Sequence, residues 1–140
     1  MKIGITFGCY CPLHRGHLDV IYEAKKTCDK TIVFVCGTSN DKEDRYKGIV
    51  PLDKRFMLIR NFLHDDSVDV IKIDDADIGI DESGSESNWI SWLEYVHGKI
   101  FKYTEGLNKL STEVIWFFEE PEYVDPLFKY YGPHFEYRII

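Results

Sequence analysis

Ten residues near the amino terminus concentrate the side chains able to do chemistry. Gly8-Cys9-Tyr10-Cys11-Pro12-Leu13-His14-Arg15-Gly16-His17 holds two glycines, one proline and two histidines. Gly8 lets the backbone turn sharply and approach a ligand without a Cβ in the way, and Pro12 stiffens the turn. His14 and His17 are three apart, so on a helical turn or in a tight loop both imidazoles can face the same side. If Gly16 and His17 open a helix, the unpaired N–H groups and the dipole there attract an anion. The geometry suits a phosphate chain. Two imidazoles aimed at phosphate can act as bases, as metal ligands or as charge stabilisers. An attacking group that is itself a phosphate is already anionic and needs no base. Donors that stabilise the charge around a pentacoordinate phosphorus, with a bound Mg²⁺, are then the useful role.

Such a turn needs a strand before it and a helix after it. Residues Lys2 to Gly8 (KIGITFG) and Thr31 to Gly37 (TIVFVCG) are short runs rich in β-branched residues, each closed by glycine, and read as buried strands. Val68 to Ile73, Glu113 to Phe118 and His134 to Ile140 repeat the signal. Between them, Leu18, Ile21 and Tyr22 share one helical face, and Phe56, Ile59 and Leu63 share another after Pro51. Trp89, Trp92, Leu93, Val96 and Ile100 form an amphipathic stripe on a helix expected to open near Asn88. A last short helix is expected with Asp125 as N-cap, Pro126 at its first position and Gly132 beyond its end. Strand and helix alternate five strands deep. Right-handed crossovers then give a doubly wound α/β sheet, which binds ligands beyond the carboxyl ends of its strands where the strand order reverses.

The 140 residues suit one domain spanning 1–140, and 44% hydrophobic with 29% charged residues is the composition of a packed globule. The net charge is −7, with no Lys/Arg-rich stretch, which disfavours direct nucleic-acid binding. Much of the acidity lies in residues 74–87, read as a solvated surface loop rather than a cation site. No apolar run is long enough to span a bilayer, and no leader is apparent; a cytoplasmic protein without membrane association is the expectation. Homo-oligomerisation stays open. Four scattered cysteines suit reduced thiols better than a disulfide framework. A zinc site from Cys9, Cys11, His14 and His17 has no recognised ligand spacing, so no resident metal is assigned.

The pattern GxxxPxHxGH, here GCYCPLHRGH, resembles the signature of the nucleotidyltransferase superfamily with a Rossmann-like fold. Its five fixed residues would coincide by chance on the order of 10⁻⁵ times per chain, so accident is a poor explanation. The segment CPLHRGHLDVIYEA, the Asp44-Arg45 pair, the Pro51-Leu52-Asp53-Lys54-Arg55 helix entry, the Trp89-x-x-Trp92 pair and the Phe118-Glu119-Glu120 strand end together resemble the NadR family. That resemblance implies a Rossmann-like, doubly wound five-stranded parallel sheet with helices on both faces. It also implies an adenylyltransferase that joins ATP, with its Mg²⁺, to nicotinamide mononucleotide. His14 and His17 would be the catalytic pair on the triphosphate. Phe7, Gly8, Tyr10 and Gly16 would line the ATP path, while Trp89, Trp92, Arg45 and Arg55 would serve the second substrate. An indole face suits a pyridinium, a flat cation, although the same spacing also describes an ordinary core stripe. The superfamily normally carries a second phosphate-binding motif, Ser/Thr-rich and ending in Arg, after the fifth strand. Here that strand is the last element, so the expectation is a domain lacking the motif. Two other readings stay open: an adenylyl- or cytidylyltransferase for another small phosphorylated substrate, and a non-catalytic module that senses a nicotinamide nucleotide within a NadR-like regulator.

Overall fold

Alternate residues of the second strand point to opposite faces of the sheet, and each face has found its own helices. In the computed structural model, which describes residues 1–39, 50–80, 85–103, 112–131 and 136–140, the elements are β1 (Lys2–Gly8), α1 (Arg15–Thr27), β2 (Lys30–Gly37), α2 (Leu52–Leu63), β3 (Val68–Asp74), α3 (Asp75–Ile78), α4 (Glu86–Tyr103), β4 (Glu113–Phe118), a 3-10 turn (Pro121–Tyr123), α5 (Val124–Tyr131) and β5 (Glu136–Ile139). Ile32 and Phe34 of β2 lie in one core with Trp92, Leu93, Val96 and Ile100 of α4 and Leu127 of α5. Val33 and Val35 lie in the other, with Ile21 of α1 and Leu52, Ile59 and Leu63 of α2. The sheet is therefore covered on both sides, as continuous apolar strands require.

All strands run parallel in the order β3-β2-β1-β4-β5. The chain first steps outward from β1 to β3, then crosses back to place β4 on the other side of β1, so the order reverses between β1 and β4. Pairing of β1 with β2 continues to Gly8↔Val35, whereas pairing of β1 with β4 ends at Ile5↔Trp116. The two strands that flank the reversal thus part at their carboxyl ends, and a crevice opens there.

Several expectations are corrected in detail. Tyr22 is 48% exposed, and α1 buries Val20 and Ala24 beside the expected Ile21. The reason is that α1 straddles two strands' worth of core: Val20 and Ala24 meet Ile115 and Phe117 of β4, while Ile21 meets the β2 valines. Helix α4 opens at Glu86 rather than near Asn88, because the Ser85 hydroxyl accepts the Asn88 N–H at 3.2 Å. Helix α5 begins at Val124, continuing directly from the 3-10 turn, so Asp125 and Pro126 fall inside its first turn, where a missing N–H costs nothing. Gly132 lies outside the described residues.

The acidic stretch is not simply a loop. Asp74 is buried, ends β3, and caps α3 by accepting the Ala76 N–H at 3.0 Å while also accepting the Ser39 N–H at 2.9 Å. Burial works against its charge, but the bonds from Ser39 and Ala76 outweigh burial and hold its carboxyl below the usual range. Residues 81–84 of that stretch are outside the described residues. No described helix is long and apolar enough to cross a membrane.

Candidate active site

A crevice of about 330 Å³ sits at the parting of β1 and β4. Its walls are the β1–α1 turn, including Phe7, Gly8, Tyr10, His14 and His17, and the end of β4 with Glu119, Glu120 and Tyr123.

The turn is organised by its own side chains. His14 is the N-cap of α1, with an extended backbone (φ −137°, ψ 178°). Its Nδ1 accepts the Gly16 N–H at 3.1 Å, and the His14 N–H is accepted in turn by His17 Nδ1 at 3.2 Å. This is a reciprocal capping box in which imidazoles replace the usual hydroxyl and carboxylate. The two rings stack, 3.6 Å between centroids and 22° apart in plane. The chemical consequence concerns tautomers. Each Nδ1 is spent accepting a backbone N–H, so each neutral ring carries its proton on Nε2. The network therefore leaves the Nε2–H of both rings as the group able to donate.

Electrostatics reinforce this. Burial is the largest influence on His17 and pushes its pKa below the ordinary imidazole value; neighbouring His14 pushes the same way, and Glu119 partly opposes them. At neutral pH His17 is an uncharged donor. Protonating it would place the added proton on Nδ1 and break the bond from the His14 N–H.

Tyr10 anchors the turn from inside. It adopts φ 52°, a left-handed conformation that costs a non-glycine residue roughly 1 kcal/mol. Its ring is 4% exposed and meets His17 edge-on at 4.8 Å, and burying an aromatic of that size offsets the strain by about 4 kcal/mol. Burial also drives the phenol far above its ordinary pKa, so Tyr10 is neutral packing rather than an acid or base. Gly16 gives the turn room beside the crevice wall. A Cβ there would lie 2.6 Å from Glu119 Oε1 and 3.0 Å from His14 Cε1.

The other sequence-derived candidates are distributed less simply. Phe7 is on the crevice wall and centres an aromatic cluster, with ring centroids 5.0 Å from Trp92, 5.0 Å from Tyr123 and 6.4 Å from Trp89. Trp92 is 7% exposed and belongs to the core; Trp89 is half-buried at the cluster's edge. Neither tryptophan lines the crevice itself. Arg55 is 2% exposed and does not reach the crevice wall. Its Nε donates to the carbonyl of Val50 at 3.0 Å, and its Nη1 donates to the carbonyls of Cys36, at 3.1 Å, and Cys9. One guanidinium thus ties the turn after β1 to the end of β2 and the approach to α2. Arg45 lies outside the described residues.

Among the described residues, no three His, Cys, Asp or Glu side chains converge as a metal cage. Mg²⁺ does not need one, because it is commonly held by substrate phosphates and one or two carboxylates. Glu119 and Glu120 on the wall fit that use.

Glu119, Glu120 and Tyr123 are wall residues that the site assignment from sequence omits. Burial, then Glu120, raises the Tyr123 pKa to about 12, so it is a neutral hydroxyl. Their signal was the strand order: once β4 is known to flank β1, the residues at its carboxyl end must face the crevice.

The chain matches the cytidylyltransferase-like family over residues 5–121 and belongs to that family. Among solved structures it resembles the NadR protein in complex with NR, with a TM-score of 0.77 and 28% identity over 99% of this chain. It also resembles the NadR protein in complex with NAD and AMP-PNP, with a TM-score of 0.74 and 27% identity over 99% of this chain. In each case it spans 37% of the longer protein. A shorter likeness, 42% identity over 48 residues, joins it to the bifunctional protein HldE of Paramagnetospirillum magneticum; that match covers 34% of this chain and 9% of HldE. The fold is thus the Rossmann-like one of NadR-type nucleotidyltransferases, and the general reaction of the family is nucleotidyl transfer.

Proposed function

We propose that this cytidylyltransferase-like chain transfers the adenylyl group of ATP to nicotinamide mononucleotide, giving NAD and pyrophosphate. The observation that carries the reading is the imidazole pair at the start of α1. Both rings line the crevice, and both have Nδ1 engaged, so two Nε2–H donors serve one anion-attracting helix start. A phosphate oxygen of the mononucleotide attacks the α-phosphorus of ATP; the bond from that phosphorus to the bridging oxygen of the β-phosphate breaks, and pyrophosphate leaves. The nucleophile is already ionised, which agrees with histidines that donate and do not abstract. Glu119 and Glu120 on the crevice wall would hold a Mg²⁺ carried by ATP, which would supply charge neutralisation for the pyrophosphate. His14 and His17 stabilise the charge on the transferring group, and Arg55 holds the turn that presents them.

The nicotinamide half of the reading is supported by the likeness to NadR at 28% identity and by Trp89, half-buried beside Phe7 and Tyr123, where a pyridinium could stack. A second reading keeps the transfer and changes the acceptor to another small phosphorylated compound. It is favoured by the position of both tryptophans behind the crevice wall.

The test is NAD formation from ATP and nicotinamide mononucleotide, with CTP and glycerol phosphate as competing substrates. We expect NAD to form, and His17→Ala to lower kcat by about a hundredfold, the usual cost of one oxyanion donor. Turnover only with the competing substrates would favour the second reading. Unchanged turnover in the variant would remove His17 from the chemistry.

A further inference from the structure

Two cysteines stand side by side where the chain leaves β1. Pairing of β1 with β2 runs in register to Gly8↔Val35, so the next residue on each side is Cys9 on one and Cys36 on the other. The backbone keeps that pair together, because Arg55 Nη1 donates to the carbonyls of both. In-register neighbours on parallel strands present their side chains to the same face, and Phe7, Phe34 and Cys36 all pack on the core beneath α4. Cys9, two residues after Phe7, lines the crevice. After burial, Cys9 is the largest influence raising the Cys36 pKa, and the Gly8 N–H bonds the Cys36 sulfur in its thiolate form. Both residues are half-buried thiols. Pairing of Cys36 with Ile73 of β3 fixes one inside the sheet, whereas Cys9 lies just past the end of its strand.

We propose that Cys9 and Cys36 are a redox-responsive pair: a small-molecule disulfide, oxidised glutathione, joins them, and the bond weakens the grip of the β1–α1 turn on a nucleotide. That consequence rests on reading the turn as a triphosphate seat; the pair itself does not. Cys9 reacts first, since it faces the crevice. Its thiolate attacks one sulfur of glutathione disulfide, that S–S bond breaks, and one glutathione leaves with the Cys9 proton. The Cys36 sulfur then attacks the Cys9 sulfur, the mixed S–S bond breaks, and the second glutathione leaves with the Cys36 proton. Two protein thiols are oxidised and one disulfide is reduced. Parallel strands lie about 4.8 Å apart, whereas bridged Cβ atoms lie about 3.8 Å apart, so the bond draws the two residues together by about 1 Å. Cys36 is held by β3, so Cys9 is the one that moves, and the turn carrying His14 and His17 moves with it.

The test treats the full chain with oxidised glutathione, alkylates the remaining thiols, maps the bonded cysteines by mass spectrometry and titrates each form with the Mg²⁺ complex of ATP by calorimetry. We expect a bond between Cys9 and Cys36, and the same bond in Cys11→Ser. In Cys36→Ala the reaction should stop at a glutathione mixed disulfide on Cys9. The oxidised parent should bind the nucleotide about tenfold more weakly, the cost of one charge-assisted hydrogen bond, and dithiothreitol should restore it. A bond between Cys9 and Cys11 instead, or full alkylation of Cys9 and Cys36 after the oxidant, would overturn the pair. A Cys9–Cys36 bond that leaves nucleotide affinity unchanged would overturn its effect on the turn. The bond forming in a chain that binds no ATP in either state would uphold the pair and reject the triphosphate seat.

Discussion

Two pairs of aromatic side chains stand three residues apart in this molecule, and the fold uses them in opposite ways. His14 and His17 open α1 and stack at 3.6 Å; Trp89 and Trp92 lie in the first turns of α4 and meet edge-on at 5.6 Å. The histidines sit at a helix end, where unpaired N–H groups demand acceptors. That demand fixes both rings by Nδ1 and leaves Nε2 for a ligand. The tryptophans answer to a different demand. Trp92 continues the stripe of Leu93, Val96 and Ile100 into the core, and Trp89 covers its edge against Phe7 and Tyr123. Equal spacing places two side chains side by side; what the surrounding backbone leaves unsatisfied decides whether they face a ligand or the core.

The contrast is broken most severely by Trp92→Ala. As a core residue it should cost about 3–5 kcal/mol, read by denaturant unfolding. A loss confined to nicotinamide mononucleotide binding, with stability intact, would place Trp92 in the site instead. Arg55→Met comes next, at about 3 kcal/mol, because carbonyls of Val50, Cys36 and Cys9 lose their buried donor together. The turn should loosen with it, so the KM for ATP should rise at temperatures where the variant is still folded. Trp89→Ala is the mildest: stability nearly unchanged, and the KM for nicotinamide mononucleotide raised about tenfold with that for ATP unaltered. Equal KM values in variant and parent would give Trp89 to the core cluster as well.

The same contrast explains what could be read from sequence. The strands were legible because each is a short β-branched run closed by a turn residue, and β1 and β4 fall where the pattern puts them, at Lys2–Gly8 and Glu113–Phe118. The turn was legible because two glycines, a proline and two histidines in fixed order leave few other uses. The structural role of Arg55 was not: the resemblance offered it to the second substrate, and by itself an arginine in an amphipathic helix reads as a solvated charge until the carbonyls around it are seen. Glu119 was quoted for its likeness to a family and not for a role. Its place beside Gly16 depends on β4 lying next to β1, a pairing across more than a hundred residues of chain that no local pattern encodes. The expected surface loop of residues 74–87 failed at its start for a third reason: carboxylates signal solvent by composition, whereas Asp74 is buried as the cap of α3.

Protonation links the pair to pH. The folded chain depresses the His17 pKa, so the stability it contributes is complete above the ordinary imidazole value near 6.5 and is lost as pH falls from there through the depressed value. The most direct measurement of the central claim is therefore the imidazole nitrogen NMR spectrum of the chain, recorded against pH and then with the Mg²⁺ complex of ATP. The seat described here predicts Nε2–H tautomers for both His14 and His17 at neutral pH, a His17 midpoint below 6.5 in the free chain, and movement of both Nε2–H signals when the nucleotide is added. Nδ1–H tautomers, or Nε2–H signals that stay in place while ATP binds, would contradict it.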